Sequence, residues 1–196
     1  MGLRVHPKLN KIIELAGNQY NPKIRDMALR YFLSNFEVAY AEDYYHYNYP
    51  KTNIEFLPCS DPSIYAKPSE CFISPECDIM KFRVVHQDLQ FAVEKIGVRQ
   101  HPDHNQLINR LTENPARDKN KAKAIFEYLA TQQGNFTHSN WNSLFNLKFI
   151  PVQDKIRPDI MTLTSPRNCF FKMEEELYVN RYSLLFIFSQ IILKLI

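Results

Sequence analysis

"GVRQHPDHNQLINRL" at Gly97–Leu111 restates, with changes, "GLRVHPKLNKIIELA" at Gly2–Ala16. Four further landmarks follow in the same order. Asn21-Pro22 answers to Asn114-Pro115, and "MALRYFL" (Met27–Leu33) to "AKAIFEYLA" (Ala122–Ala130). "EFLPCSD" (Glu55–Asp61) answers to "KFIPVQD" (Lys148–Asp154), and "PSECFI" (Pro68–Ile73) to "PRNCFF" (Pro166–Phe171). The offset wanders only between 93 and 98 residues. Five ordered matches predict a tandem array, the kind of period that decides an architecture before any local reading does. The expected fold is helix-rich α+β: two related units of helices with short strands, the second incomplete. The expected bounds are 1–97 and 98–172, followed by a divergent hydrophobic tail at 173–196.

Working outward from the repeated stretch, Leu9, Ile12, Ile13 and Ala16 recur at i, i+3, i+4 and i+7, one face of a short helix. Gly17 falls where positive φ would be cheap after a helix end. Asn21-Pro22 reads as an N-cap with proline in the first turn. Ile24, Met27, Ala28, Tyr31, Phe32, Phe36 and Ala39 are expected to form the next helical stripe. Its counterpart is Ala122, Ile125, Phe126, Leu129 and Ala130. Ile54–Pro58 and Leu147–Pro151 read as short strands stopping at proline, which has no N–H to donate. "DIMKFRVV" (Asp78–Val85) is a further strand candidate. Leu89, Ala92, Val93 and Ile96 make another helical face, closed by Gly97. That helix leads straight into the second G-x-R-x-H-P, whereas the first copy lacks it, so residue 1 is not expected to be a natural domain boundary.

The chain has four glycines, and Gly2, Gly17, Gly97 and Gly134 all sit where helices should stop. None is left for a phosphate-cradling loop, and neither G-x-G-x-x-G nor G-x-x-x-x-G-K occurs. No cofactor and no catalytic residue is expected.

The 196 residues are 45% hydrophobic and 23% charged, an ordinary globular composition. Net charge is +3, too mild for a nucleic-acid footprint. Residues 1–97 hold 11 Lys/Arg against 12 Asp/Glu, and residues 98–196 hold 13 against 9. The opening "MGLRVHPKLNK" has no apolar signal region, and the myristoylation pattern is not met. Reduced thiols and a cytoplasmic location are therefore expected for Cys59, Cys71, Cys77 and Cys169.

After Phe171 the second copy departs from the first. Ten of the last 14 residues, Ser183–Ile196, are Leu, Ile or Phe. That is short of the roughly 18–20 needed to span a bilayer. A buried helix, a membrane-surface element and sequence foreign to the fold are all compatible with it. The break with the repeat favours the last, for instance a tail translated from non-coding sequence.

Several clusters carry conceivable chemistry. Cys59, Cys71, Cys77 and His86 lack the C-x-x-C spacing of a structural zinc site, so packed cysteines are the better reading. His101 and His104 would face one way if helical, but the first copy has Leu9 at the second position; a helix-entry role for His-Pro fits better. Asp61 and Asp154 follow "FLP" and "FIP" and are expected in turns rather than as an acid–base pair. "DYYHYNY" (Asp43–Tyr49), with Lys51 and Arg83, has the aromatic content to stack bases. Glu42 and Asp43 oppose that, and tyrosines sealing a helix end are expected instead. Arg117, Lys119, Lys121 and Lys123 form a basic run around Asp118, read as solvated loop. Ala122–Val152 reads as helix, turn, a helix with Trp141, Leu144 and Phe145 on one side, then strand: half of a winged helix. Asn140, Asn142 and Lys148 are thin material for base reading.

The series G-V-R-x-H-P, A-L-R-Y-F, F-L-P, F-A-V-x-K-I-G-V, A-I-F-E-Y-L-A and F-I-P-V resembles a region of large, uncharacterised fungal proteins. Those carry a GHKL-type ATPase region (the gyrase, histidine-kinase and MutL superfamily) followed by a long domain of unknown function, and are loosely similar to sacsin. The resemblance covers about residues 1–172. It implies a non-catalytic scaffold or protein-interaction segment of a larger parent, with protein partners: the rest of that chain or a chaperone-type partner. Asn114-Pro115-Ala116 departs from the Asn-Pro-Pro of that pattern, and the tail after Phe171 departs as well. A winged-helix-like nucleic-acid-binding module is the alternative. Nucleic acid is otherwise not expected as a partner, nor is a membrane unless the tail is genuine.

Overall fold

The computed structural model describes residues 6–132, 134, 136–153 and 161–168. The chain divides into two compact units, Met1–His101 and Pro102–Ile196. Both are helical with small two-stranded sheets, a helix-rich α+β architecture.

The first unit begins with α1 (Leu9–Ala16), which buries Leu9, Ile12, Ile13 and Ala16 against α2 (Pro22–Ser34). The Asn21 side chain accepts from the Ile24 N–H at 3.1 Å, so the Asn-Pro pair caps α2 as its chemistry requires. The buried side of α2 is Ala28, Leu29, Phe32 and Leu33. The expected stripe is thus rotated: Met27 is 62% exposed, and Ile24 and Tyr31 are exposed as well. The helix is apolar on two sides, and packing of Leu29 and Leu33 with α1 selects one of them.

Beyond Asn35 the chain makes a π-helical turn, Phe36–Tyr40, and then α3 (Ala41–His46). Phe32, Phe36, Tyr40 and Tyr44 lie four residues apart and all four are buried. Steps of four drift about 40° each around an ideal α-helix. The wider π turn takes up that drift and keeps all four rings on the core.

The strands are short. β1 (Leu57–Pro58) pairs antiparallel with β2 (Tyr65–Ala66), and β3 (Cys71–Phe72) pairs parallel with β4 (Arg83–Val84). Bridges Cys59–Val85 and Phe72–Arg99 extend the pairing on either side. Of the expected strand Asp78–Val85 only residues 83–85 pair, Val85 through the bridge to Cys59. Pro75–Met80 is a 3₁₀ turn, ended by Lys81 in the left-handed region at φ 59°. Then comes α4 (Gln90–Val93), flanked by 3₁₀ turns at Gln87–Leu89 and Glu94–Ile96. Val93 and Ile96 enter the core.

Two glycines have distinct reasons. Gly97 turns the chain at φ 85°, as expected after a helix. Gly17 does not: its φ is −88°. A Cβ there would stand 2.4 Å from Ile54 Cγ2, so close approach, not conformation, calls for glycine. Gly17→Ala is expected to cost about 1–3 kcal/mol by overpacking, measurable as a lowered urea midpoint. An unchanged midpoint would mean that Ile54 moves aside freely.

The second unit has α5 (His104–Glu113), α6 (Lys119–Thr131) and α7 (His138–Asn146), then β5 (Ile150–Gln153) antiparallel to β6 (Met161–Thr164), then a 3₁₀ turn at Pro166–Asn168. β5 does not stop at Pro151, which sits in the ladder opposite Leu163. A strand in a two-stranded hairpin has one edge free of pairing, which tolerates a residue with no N–H.

Apart from the π turn and a 3₁₀ turn at Tyr49–Lys51 in the first, each unit runs helix, helix, helix, antiparallel hairpin, proline-led 3₁₀ turn among the described residues. The hairpin registers agree: Leu57 opposite Ala66 and Pro58 opposite Tyr65, Ile150 opposite Thr164 and Pro151 opposite Leu163. Phe56, Phe72 and Phe149 are buried, as their motifs imply. Phe170, Cys169, Gly2, Asp154 and the tail at 173–196 lie outside the described residues. Among the described residues no helix is long and apolar enough to cross a membrane.

Candidate functional site

In the first unit, the segment after β3 and the segment after Gly97 run side by side. The Ile73 N–H donates to the Arg99 carbonyl at 3.0 Å and the Ser74 N–H to the Gln100 carbonyl at 3.1 Å. Pro75 then starts the 3₁₀ turn that carries Glu76. Opposite stands α4, whose inward side is committed to Val93, so its other side faces out. Between these three segments lies a groove of about 430 Å³, within the ~300–1,000 Å³ range of ligand clefts. Ser74, Glu76, Gln90, Phe91, Glu94 and Gln100 are among its walls. The Phe91 ring is 99% exposed. Glu76 and Glu94 are both exposed, and neither forms an ion pair with a described residue.

His101 also reaches the groove, with its Nδ1 3.8 Å from the Cys77 sulfur. A thiol beside an imidazole is the arrangement of a nucleophile and its base. Cys77 is fully buried, however, and its sulfur also lies 3.8 Å from the Gln100 carbonyl. A substrate carbonyl has no approach to such a sulfur, so the contact fixes the groove wall.

The other residues that the sequence singles out fall elsewhere. Cys59 and Cys71 are buried, and burial raises both thiols above their ordinary value, Cys59 to about 11. His86 instead caps the Gln87–Leu89 turn, its Nδ1 accepting from the Asp88 N–H at 3.4 Å. Among the described residues no three His, Cys, Asp or Glu side chains are grouped to hold a metal.

A thiol raised on folding favours the fold only while it stays protonated. Its contribution is complete below the unfolded value near 9 and disappears as pH climbs through the folded value. Stability should thus fall between pH 9 and about 11, with a limiting slope of about 1.4 kcal/mol per pH unit for each of these two thiols. Cys59→Ala should make the alkaline decline in melting temperature shallower. An identical decline in the variant would assign it to other groups.

His101 and His104 do not share a helical face. Asp103 between them is the N-cap of α5, in a capping box with Gln106, and His104 is the first helical residue, its ring 4.6 Å from that of Phe136. His6, the counterpart of His101, bonds through Nδ1 to the Tyr31 hydroxyl at 2.8 Å. Asp61 takes the turn role: it accepts from the Ser63 N–H and hydroxyl, which hold its carboxyl below the ordinary range.

The tyrosines seal the end of the helices. Tyr44 is fully buried and donates to the Ile96 carbonyl at 3.1 Å, Tyr45 donates to the Lys95 carbonyl, and Tyr49 stacks on Tyr44. Asp118, inside the basic run, caps α6. On α7, Trp141 and Leu144 are buried, Asn140 closes a capping box with Thr137, and Ser139, Asn142, Ser143 and Asn146 are exposed. No Lys or Arg lies on that helix.

The groove is not visible in the sequence as a site. Its one signal is Phe91, a large aromatic off the Leu89–Ala92–Val93–Ile96 stripe and therefore on the polar side of that helix.

A family model described as protein of unknown function (DUF3684) matches residues 1–190. The matched span takes in most of the tail at 173–196, so the family match does not set the tail apart from the rest. No curated protein and no solved structure matches the chain.

Proposed function

We propose the following role for a chain that belongs to the DUF3684 family of proteins of unknown function: it is a non-catalytic protein-interaction segment, built from two copies of one unit. The observation that carries this is the groove beside α4, with Phe91 wholly in water at its wall and two carboxylates that form no ion pair with a described residue. Isolated exposed apolar side chains are ordinary. An aromatic placed on a cleft is the residue type that anchors protein contacts. The shared element order and hairpin register support the two-copy reading. The fungal, sacsin-like parent with an ATPase region rests on the motif resemblance alone, as do a chaperone-type partner and a cytoplasmic setting.

Two measurements test it. A photo-crosslinking amino acid in place of Phe91 should give protein adducts in cells, and one in place of the exposed Glu113 should not. Adducts with nucleic acid only, or none, would overturn the reading. Calorimetric titration with Mg-ATP should give no saturable heat, since no glycine-rich phosphate loop exists; micromolar binding by this chain would contradict the non-catalytic assignment.

The order α6, α7, hairpin favours a second reading, a winged-helix-like module. The outward side of α7 is polar but uncharged, which leaves phosphate contacts, the main source of affinity, without donors of charge. Retention on duplex DNA that falls steeply between about 50 and about 200 mM salt would support that reading instead.

A further inference from the structure

We infer that the groove beside α4 takes an arginine- or lysine-bearing extended segment of a partner protein. This rests on the protein-interaction reading and adds the chemistry of the occupant. Glu76 and Glu94 stand on two of its three walls, both exposed and neither ion-paired with a described residue. No Lys or Arg is among the lining residues, whose one basic side chain is the imidazole of His101. With two carboxylates in its lining, the groove is acidic at neutral pH within a first unit that is nearly balanced overall.

Phe91 supplies what a basic side chain uses besides charge. Its exposed ring face attracts a cation through the ring quadrupole, and its edge gives the aliphatic stem of Arg or Lys a surface to lie on. Arginine suits the site better than lysine, because a planar guanidinium pairs with carboxylates in a fork and stacks on a ring at once. The side chains of Ser74, Gln90 and Gln100 supply neutral donors and acceptors for the main chain of an extended segment. A volume of about 430 Å³ holds a side chain or two with their backbone, not the convex face of a folded domain.

The test is fluorescence anisotropy on the full chain with a short labelled peptide carrying arginines on a Gly/Ser background. It is matched against peptides with Gln, Glu or Phe in place of Arg. The Arg peptide should bind at least about tenfold tighter than the Gln peptide, and more weakly as salt rises from about 50 to about 300 mM. Glu76→Gln with Glu94→Gln should weaken it at least about tenfold, and Phe91→Ala by a similar factor, with thermal melts unchanged because all three side chains are exposed. Asp26→Asn, an exposed carboxylate on α2 already paired with Arg30, should change nothing. Equal binding of the Arg and Gln peptides, or indifference to the double Gln variant, overturns the inference. Preference for the Phe peptide overturns the basic occupant and leaves an interaction groove standing. If no peptide binds and the crosslinker at position 91 captures no protein, both fall.

Discussion

Phe56→Ala and Phe149→Ala are each expected to cost about 3–5 kcal/mol, and the two losses should be similar. The two residues are 0% and 2% exposed and stand just before Leu57 and Ile150, at the same place in the two hairpins. Each meets an aromatic of its unit's second helix nearly edge-on: Phe32 at 6.1 Å and 85°, Phe126 at 5.6 Å and 81°. Such pairs add about 0.5–1.5 kcal/mol beyond the area they bury. Truncation removes the ring and leaves a cavity between helix and strand that neither element closes alone. A domain of this size has about 5–15 kcal/mol in total, so either loss is a large share of one unit's stability. With a urea slope near 2 kcal/mol per M, the midpoint should move by about 2 M. Equal losses support two copies of one unit. A loss under about 1 kcal/mol at either position, the size of a surface change, would remove that residue from its core and break the correspondence.

Local chemistry makes much of the helical frame legible. Leu9, Ile12, Ile13 and Ala16 share a face by spacing alone, and Asn21-Pro22 can hardly do anything but start a helix. The motif phenylalanines at 56, 72 and 149 are buried as the repeated "FLP", "CF" and "FIP" contexts imply. Where sequence misleads, the deciding contact is distant. Residues 24–33 contain apolar side chains on both sides of α2, and only packing against α1 chooses Leu29 and Leu33 over Ile24 and Met27. Gly17 reads locally as a helix-end conformation, whereas Ile54, far along the chain, dictates it. Tyr40 and Tyr44 would drift off the side of Phe32 on an uninterrupted α-helix, and only the π turn, which nothing in the sequence announces, keeps them on the core.

The candidate site is hidden for the same reason. Glu76, Phe91, Glu94 and Gln100 come from three stretches, and nothing in their spacing announces that β3 and the Arg99 segment run together. Motif search also looks for residue types that do covalent or metal chemistry. Of those types the cysteines Cys59, Cys71 and Cys77 are buried, and only His101 reaches the groove. What the groove turns to solvent is an aromatic ring and two carboxylates, residue types too common on surfaces to stand out as a motif.

Tyr44→Ala is expected to be the most damaging change among the tyrosines of "DYYHYNY", at least about 3–5 kcal/mol by analogy with other large aromatics. Tyr44 is wholly buried, stacks on Tyr49 at 5.7 Å, meets Phe36 at 5.2 Å nearly edge-on, and carries the hydrogen bond to Ile96 that ties α3 to the turn before Gly97. Tyr44→Phe keeps the ring and removes only the donor. The Ile96 carbonyl then loses that partner, at a cost of about 1–3 kcal/mol. Tyr47→Ala, at a ring 67% exposed, should stay within about 0.5 kcal/mol. Urea titrations that rank the losses in the order Tyr44→Ala, Tyr44→Phe, Tyr47→Ala would establish the tyrosine run as a clamp between helix and turn. Base stacking demands the reverse order of consequence: side chains free to meet a ligand, dispensable for the fold, and protected from modification only when nucleic acid is bound. If Tyr44→Ala left stability intact while lowering affinity for single-stranded DNA, the clamp would be refuted. The same run would then become a binding surface, and the balance between the protein-interaction and nucleic-acid readings would tip to the latter.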